Sequence, residues 1–196
     1  MTEKTALLVI DVQDAFKEQE ALGARRNNPD AEENIARLLK GFRHVGLPVF
    51  HIHHASTEPN SHFRPERSGF VVQSFARPID GEAVIVKNVN SAFIGTTLEA
   101  DLRNAGIQHV VICGATTNHC IETSTRMAGN LGFAVDLVRD ACWAYDRDGI
   151  DGRKDHAEDI HAMSLGNLHQ EFATILRTDD IIAQLASRSA QQESSA

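Results

Sequence analysis

Three residues far apart in the chain would combine chemically if the fold joined them: a carboxylate at Asp11, an amine at Lys87 and a thiol at Cys120. A thiol becomes a nucleophile when its proton has somewhere to go and its anion has a positive neighbour. Each of the three follows a short apolar run. Asp11 closes Ala6-Leu7-Leu8-Val9-Ile10, and Lys87 closes Ala83-Val84-Ile85-Val86. Cys120 ends Gly114-Ala115-Thr116-Thr117-Asn118-His119-Cys120, just after His109-Val110-Val111-Ile112-Cys113. Singly, each has a plainer reading: a turn cap, a solvated strand end, and a small buried apolar residue. Their joint placement favours chemistry. A strand-to-helix turn puts Cys120 at a helix N-terminus, where the dipole favours a thiolate, with Lys87 adding to it and Asp11 offering a base.

His51, His53 and His54 follow the apolar stretch at 47–50. His51 and His53 would share one strand face, which invites a metal. Ring donors positioning a polar substrate, or satisfied imidazoles, are the preferred reading. Cys113 falls inside a strand and reads as core, while Cys142 follows a later strand near the expected pocket rim and is given no catalytic role. No cysteine lies in a C-x-x-C pair, which argues against a thiolate zinc site. The only Trp and Tyr, Trp143 and Tyr145, share one loop and read as a pocket wall or a subunit contact. His161 and His169 read as structural or solvated. No G-x-G-x-x-G, P-loop or G-x-S-x-G motif supports a nucleotide or serine-hydrolase reading.

The elements that must position these groups alternate in type. Apolar runs at 6–10, 47–50, 83–86, 109–113, 133–138 and 172–176 predict strands. Helical spacing predicts helices at 30–45, 95–105, 120–131, 155–170 and 179–187, with Gly46, Gly106 and Gly132 as stops. Continuous apolar strands between helices imply a parallel sheet covered on both faces, a three-layer α/β fold. In such sheets ligands gather at the carboxyl ends of the strands, which is where the three candidate groups stand. The aperiodic stretch at 54–81, with Pro59, Pro65 and Pro78, reads as a functional lid. The 196 residues suit one domain, taken as residues 1–185, with the Ser/Gln/Ala-rich 186–196 a flexible tail.

Composition limits the partners. With 19 Lys and Arg against 27 Asp and Glu the chain carries a net charge of -8, which argues against nucleic-acid binding. No apolar stretch approaches the ~18 residues a membrane span needs. Three cysteines, an odd number, beside a start without signal-peptide features lead to an expectation of free thiols in the cytoplasm.

Three blocks together carry a resemblance to a known family. Leu7 to Phe16 with Asp11 and Gln13, Lys87-Asn88-Val89-Asn90-Ser91-Ala92-Phe93, and Gly114 to Glu122 with Cys120 resemble the isochorismatase-like cysteine hydrolases. The likeness spans about residues 5–185. It implies a Rossmann-like sheet of order 3-2-1-4-5-6 and an Asp11–Lys87–Cys120 triad. It also implies a cis peptide between Ala115 and Thr116, and an oxyanion hole from the N–H groups of Thr116 and Cys120. Phe16, His54, Phe93 and Trp143 become expected pocket residues.

In this family, members that keep the cysteine, such as nicotinamidases, N-carbamoylsarcosine amidases and streptothricin hydrolases, cut C–N bonds; isochorismatases proper cleave a vinyl ether and usually lack it. Cys120 therefore implies an amidohydrolase acting on a small-molecule amide, ureide or lactam, with a streptothricin-hydrolase-like branch the nearest likeness. The alternatives are a metal-assisted nicotinamidase, an ether hydrolase and a non-catalytic binding member. Nicotinamidases hold their metal with an Asp-x-His pair and two later histidines. Here His51 stands in place of that Asp and His62 is off its spacing, so no required cofactor is expected, His51 and His53 being where a metal would sit. The family also implies a homodimer or homotetramer.

Overall fold

In the computed structural model, which describes residues 4–193, the first strand shows how the sequence makes the core. β1 (Thr5–Ile10) is buried along its whole length. Its alternate residues feed two cores: Ala6, Leu8 and Ile10 on one face of the sheet, Leu7 and Val9 on the other. An all-apolar strand of this kind requires cover on both sides. After a short helix α1 (Ala15–Ala21) comes α2 (Ala31–His44), whose Ile35, Leu38, Leu39 and Phe42 pack on the Leu7 and Val9 face.

β2 (Val49–His54) and β3 (Ala83–Lys87) add parallel strands on one side of β1. α3 (Leu98–Asn104), β4 (His109–Ala115), α4 (Glu122–Asn130) and β5 (Ala134–Trp143) follow. A small antiparallel hairpin, β6 (Arg147–Asp148) and β7 (Lys154–Asp155), precedes α5 (Ala157–Leu168), β8 (Thr174–Leu176) and α6 (Thr178–Glu193). The main sheet is wholly parallel, in the order β3-β2-β1-β4-β5-β8. This is the expected order, with β8 as its sixth strand. Leu98 and Leu102 of α3, Ala128 of α4 and Leu165 and Leu168 of α5 cover one face. α2 and α6 cover the other.

Two elements run further than the sequence reading expects. β5 runs on to Trp143, because a register shift opposite Ile112 and Gly114 lets pairing resume at Gly114–Cys142 and Ala115–Trp143. Cys142 and Trp143 therefore lie fully buried at the end of a strand and not in a loop. The chain beyond residue 185 continues α6 through Glu193, while residues 194–196 of the expected tail lie outside the described residues. Among the described residues no helix is long and apolar enough to cross a membrane.

Candidate active site

The carboxyl ends of β1, β2, β3 and β4 meet in one place. Their approach depends on Gly114 (φ +120): a side chain there would put its Cβ 2.0 Å from the Ile10 carbonyl oxygen. With only hydrogen at that position, the end of β4 and the turn after it lie against Asp11. Asp11 itself sits in the left-handed region (φ 55), which non-glycine residues rarely occupy. Two backbone hydrogen bonds hold it, Asp11 N–H to Ile52 O at 2.8 Å and Gln13 N–H to Asp11 O at 2.9 Å. A constrained residue of this kind is a frequent mark of a functional site.

Gln13, fully buried, fastens the neighbouring strand end. Its Oε1 accepts from the His54 N–H at 2.8 Å, and its Nε2 donates to the carbonyls of His54 (3.1 Å) and Phe70 (2.9 Å). One amide thus joins the end of β1 to the end of β2 and to the irregular 55–82 segment. The motif carrying Asp11 also carries Gln13, but nothing in its spacing shows this bracing role.

The three candidate groups converge on one ammonium. Lys87 Nζ, fully buried, lies 2.7 Å from Asp11 Oδ2, 3.3 Å from Cys120 Sγ and 3.1 Å from His54 Nδ1. Donor atoms of Asp11, His54 and Cys120 lie within 4.8 Å of one another. Asp11 Oδ1 is buried without a hydrogen-bond partner, leaving one carboxylate oxygen free to accept, while the thiol itself faces Asn90 Oδ1 at 3.8 Å. Cys120 rides on a π-helical turn (Thr117–Ile121) before α4, and the Ala115–Thr116 peptide is cis. Such wide turns recur at functional sites.

The electrostatics differ from the expectation of a resting thiolate. Burial, then the Asp11 charge, push the Cys120 thiol up to about 12, outweighing the opposing pull of Lys87. With Asp11 charged, an ionised sulfur would make the buried trio net negative, whereas thiol, carboxylate and ammonium sum to zero. Alkylation of Cys120 by iodoacetamide is accordingly expected to accelerate about tenfold per pH unit from pH 7 to 9, without a plateau. Cys113 and Cys142, with no solvent exposure, stay unlabelled in the folded protein. A rate already level at pH 7 would show a resting thiolate and overturn this account.

The three groups open into a pocket of about 390 Å³ whose lining includes Phe16, Gln19, His54, Phe63, Asn90, Thr116, Asn118, His119, Tyr145 and Arg147. Of the expected pocket residues, Phe16 and His54 are here. Phe93 and Trp143 are not. Phe93 stacks on Phe133 in the core beneath α3, and Trp143 is fully buried behind Phe16, 5.5 Å away edge-on. Tyr145, two residues on, reaches the wall that was expected of Trp143. Phe63, an aromatic inside a polar aperiodic stretch, was the available signal for the opposite wall. His119 and Arg147 carried none.

The histidines of β2 divide by face. His51 Nε2 pairs with Glu82 Oε2 at 2.8 Å, and the same carboxylate takes two hydrogen bonds from Arg43, both at 2.8 Å. Burial pulls the Glu82 carboxyl upward, but hydrogen bonds from Arg43, the Ile79 N–H and His51 outweigh it and hold it at about 2. His62 Nδ1 is bonded to Glu18 at 2.5 Å. Of the histidines a nicotinamidase-type metal would require, His53 alone has a buried ring nitrogen without a hydrogen-bond partner. One free ring nitrogen at those positions does not make a centre of the nicotinamidase type.

Burial leaves these imidazoles neutral: His53 and His161 are pushed down to about 4, and His51, His54 and His119 are also lowered. The unfolded chain, with ordinary imidazoles, binds more protons between pH 6.5 and 4 than the folded one. Stability is therefore present above pH 6.5 and is lost as the pH falls toward 4. Thermal melts across that window should show a falling Tm, with a shallower fall in His161→Asn; a flat Tm would contradict the neutral imidazoles.

Comparison with known proteins follows the same lines. The Isochorismatase domain family matches residues 5–180. The chain belongs to the isochorismatase family. The Bacillus subtilis isochorismatase family protein YrdC is 48% identical over 183 residues, 93% of this chain and 96% of its own. A crystal structure of an isochorismatase-family hydrolase from Chromobacterium violaceum superposes with TM-score 0.90 at 44% identity, covering 95% of each chain. Streptothricin hydrolase of Streptomyces noursei is 31% identical over 144 residues, 72% of this chain and 50% of its own. This isochorismatase-family hydrolase thus has relatives that keep its fold along nearly the whole chain.

Proposed function

We propose that this family member is a cysteine amidohydrolase that cleaves a C–N bond of a small amide, ureide or lactam through a thioester on Cys120. The observation that carries the reading is the Lys87 ammonium in contact with both Asp11 and the Cys120 sulfur at the base of a pocket. Cys120 distinguishes the chain from the ether-cleaving branch of the family.

The high proton affinity of the thiol is part of the mechanism. One cause that raises it, the charge of Asp11, vanishes when the departing proton goes to Asp11 itself. Proton transfer to the partnerless Oδ1 leaves thiolate, carboxylic acid and ammonium, again summing to zero. The sulfur attacks the carbonyl carbon, and the N–H groups of Thr116 and Cys120 receive the oxyanion. Protonated Asp11 passes its proton to the departing nitrogen, which leaves as ammonia or an amine or, from a lactam, stays tethered to the acyl chain as a freed amine. Asp11 then takes a proton from water; the hydroxide adds to the thioester, the carboxylic product leaves, and the sulfur recovers the proton. Throughout, Lys87 faces whichever of Asp11 and Cys120 is anionic.

The test is formation of ammonia or of a free amine, including the ring-opened amino acid from a lactam, over a panel of small amides, ureides and lactams by wild type and Cys120→Ala. Release by wild type alone supports the reading. Equal release by both, or release by neither from any member of the panel, sinks it.

A further inference from the structure

Beside the triad, three residues form a hydrogen-bonded line that the mechanism above does not use. Arg147, on the β6–β7 hairpin, places Nη1 2.7 Å from His119 Nε2, and His119 Nδ1 is 2.9 Å from Thr116 Oγ1. All three side chains line the catalytic pocket. The hairpin is anchored where it begins: the Asp146 carboxylate accepts from Arg25 and from the Ala157 N–H, both at 2.9 Å.

The donors and acceptors in this line have only one consistent arrangement. A guanidinium has five N–H donors and no acceptor, so His119 Nε2 must present its lone pair. His119 is kept neutral by burial and by the adjacent Arg147 charge. A neutral ring with its lone pair at Nε2 carries its proton at Nδ1, which donates to Thr116 Oγ1. Thr116 Oγ1 then accepts, and its own proton is left for another acceptor. In the opposite tautomer Nδ1 would be the acceptor, and the threonine hydroxyl would spend its proton on the ring.

We propose that Arg147 and His119 fix the polarity of the Thr116 hydroxyl, making it a side-chain donor to the substrate oxygen beside the backbone oxyanion hole. Thr116 is then a catalytic residue through its side chain as well as its N–H, and His119 and Arg147 are positioning residues. The proposal rests on the amidohydrolase reading for its kinetic consequence but not for its tautomer. It adds a reason for the hairpin: it carries the charge that selects the ring form.

Two measurements test it. Nitrogen-15 spectra of labelled histidine report which ring nitrogen is protonated. The expected result is an Nδ1 proton on His119 in wild type and a shift toward the Nε2 form in Arg147→Ala. An Nε2 proton in wild type overturns the proposal whatever the activity. On an amide that the wild type hydrolyses, Thr116→Val should lower kcat about 10²-fold with KM little changed, and Thr116→Ser should restore most of it. Arg147→Ala should cost about tenfold alone and almost nothing further in the Thr116→Val background. Equal kcat for the Val and Ser variants, or an Arg147 effect undiminished by Thr116→Val, overturns the proposal. Should no amide be turned over while the tautomer shifts as expected, the functional reading fails and the polarity assignment is upheld.

Discussion

Cys120→Ala is expected to lower kcat on the order of 10⁴-fold or more while leaving the fold intact, the effect typical of removing a covalent nucleophile. The Asp11–Lys87 pair lies at 2.7 Å in the buried floor and does not need the sulfur as a third partner. The surrounding core is unaffected too: Cys120 is only half-buried, and its methylene packs at the margin of the cluster under α4. Far-ultraviolet circular dichroism and Tm should therefore match wild type. Serine in the same place is expected to fare little better, because the base must then strip a much less acidic hydroxyl. Wild type quenched during turnover should carry an acyl group on Cys120, detectable by mass spectrometry, and the alanine variant should not. Retention of more than about a hundredth of the rate by Cys120→Ala would mean that another group attacks the substrate.

How much of this was legible in the sequence depends on whether a residue's neighbours are set by a repeating pattern. The six main strands follow from apolar runs, and a parallel sheet places Asp11, His54, Lys87 and the turn after β4 on one edge. No spacing rule says that Lys87 would touch all three partners; that requires the close approach of β1 and β4 at Gly114. Phe93 and Trp143 were misplaced for the same reason: nearness to a site in sequence does not fix which way a ring points. Trp143 turned inward because the register shift in β5 extended the strand, and Phe93 because Phe133 and α3 offered it a core. The mouth of the pocket comes from aperiodic segments, where a lone aromatic such as Phe63 hints at a wall but nothing marks Arg147. Glu82 was hidden for another reason: a carboxylate is ordinarily a surface residue, and only its pairing with Arg43 and His51 makes burial tolerable.

The pairing of Lys87 with Asp11 leads to the largest expected change in stability. Lys87→Met keeps a side chain of similar length but removes the one cation that Asp11 Oδ2 touches in a site with almost no solvent exposure. Breaking a buried pair from one side leaves an uncompensated charge, which typically costs about 3–5 kcal/mol. In a domain of this size each kcal/mol moves Tm by roughly 2–4 °C, so a fall on the order of 10 °C is expected by calorimetry. The double variant Asp11→Asn with Lys87→Met removes both charges and should recover a substantial part of that loss, since the penalty belongs to the stranded carboxylate more than to the missing contact. Activity should not return with it. The double variant has neither a base for the thiol proton nor a cation to face the sulfur. If the single variant melts like wild type, the ion pair is not what holds the floor of the site; if the double variant is no more stable than the single, the loss came from packing. Recovered stability with activity still absent would separate the two roles of Lys87, holding the fold and balancing the charge that moves between Asp11 and Cys120.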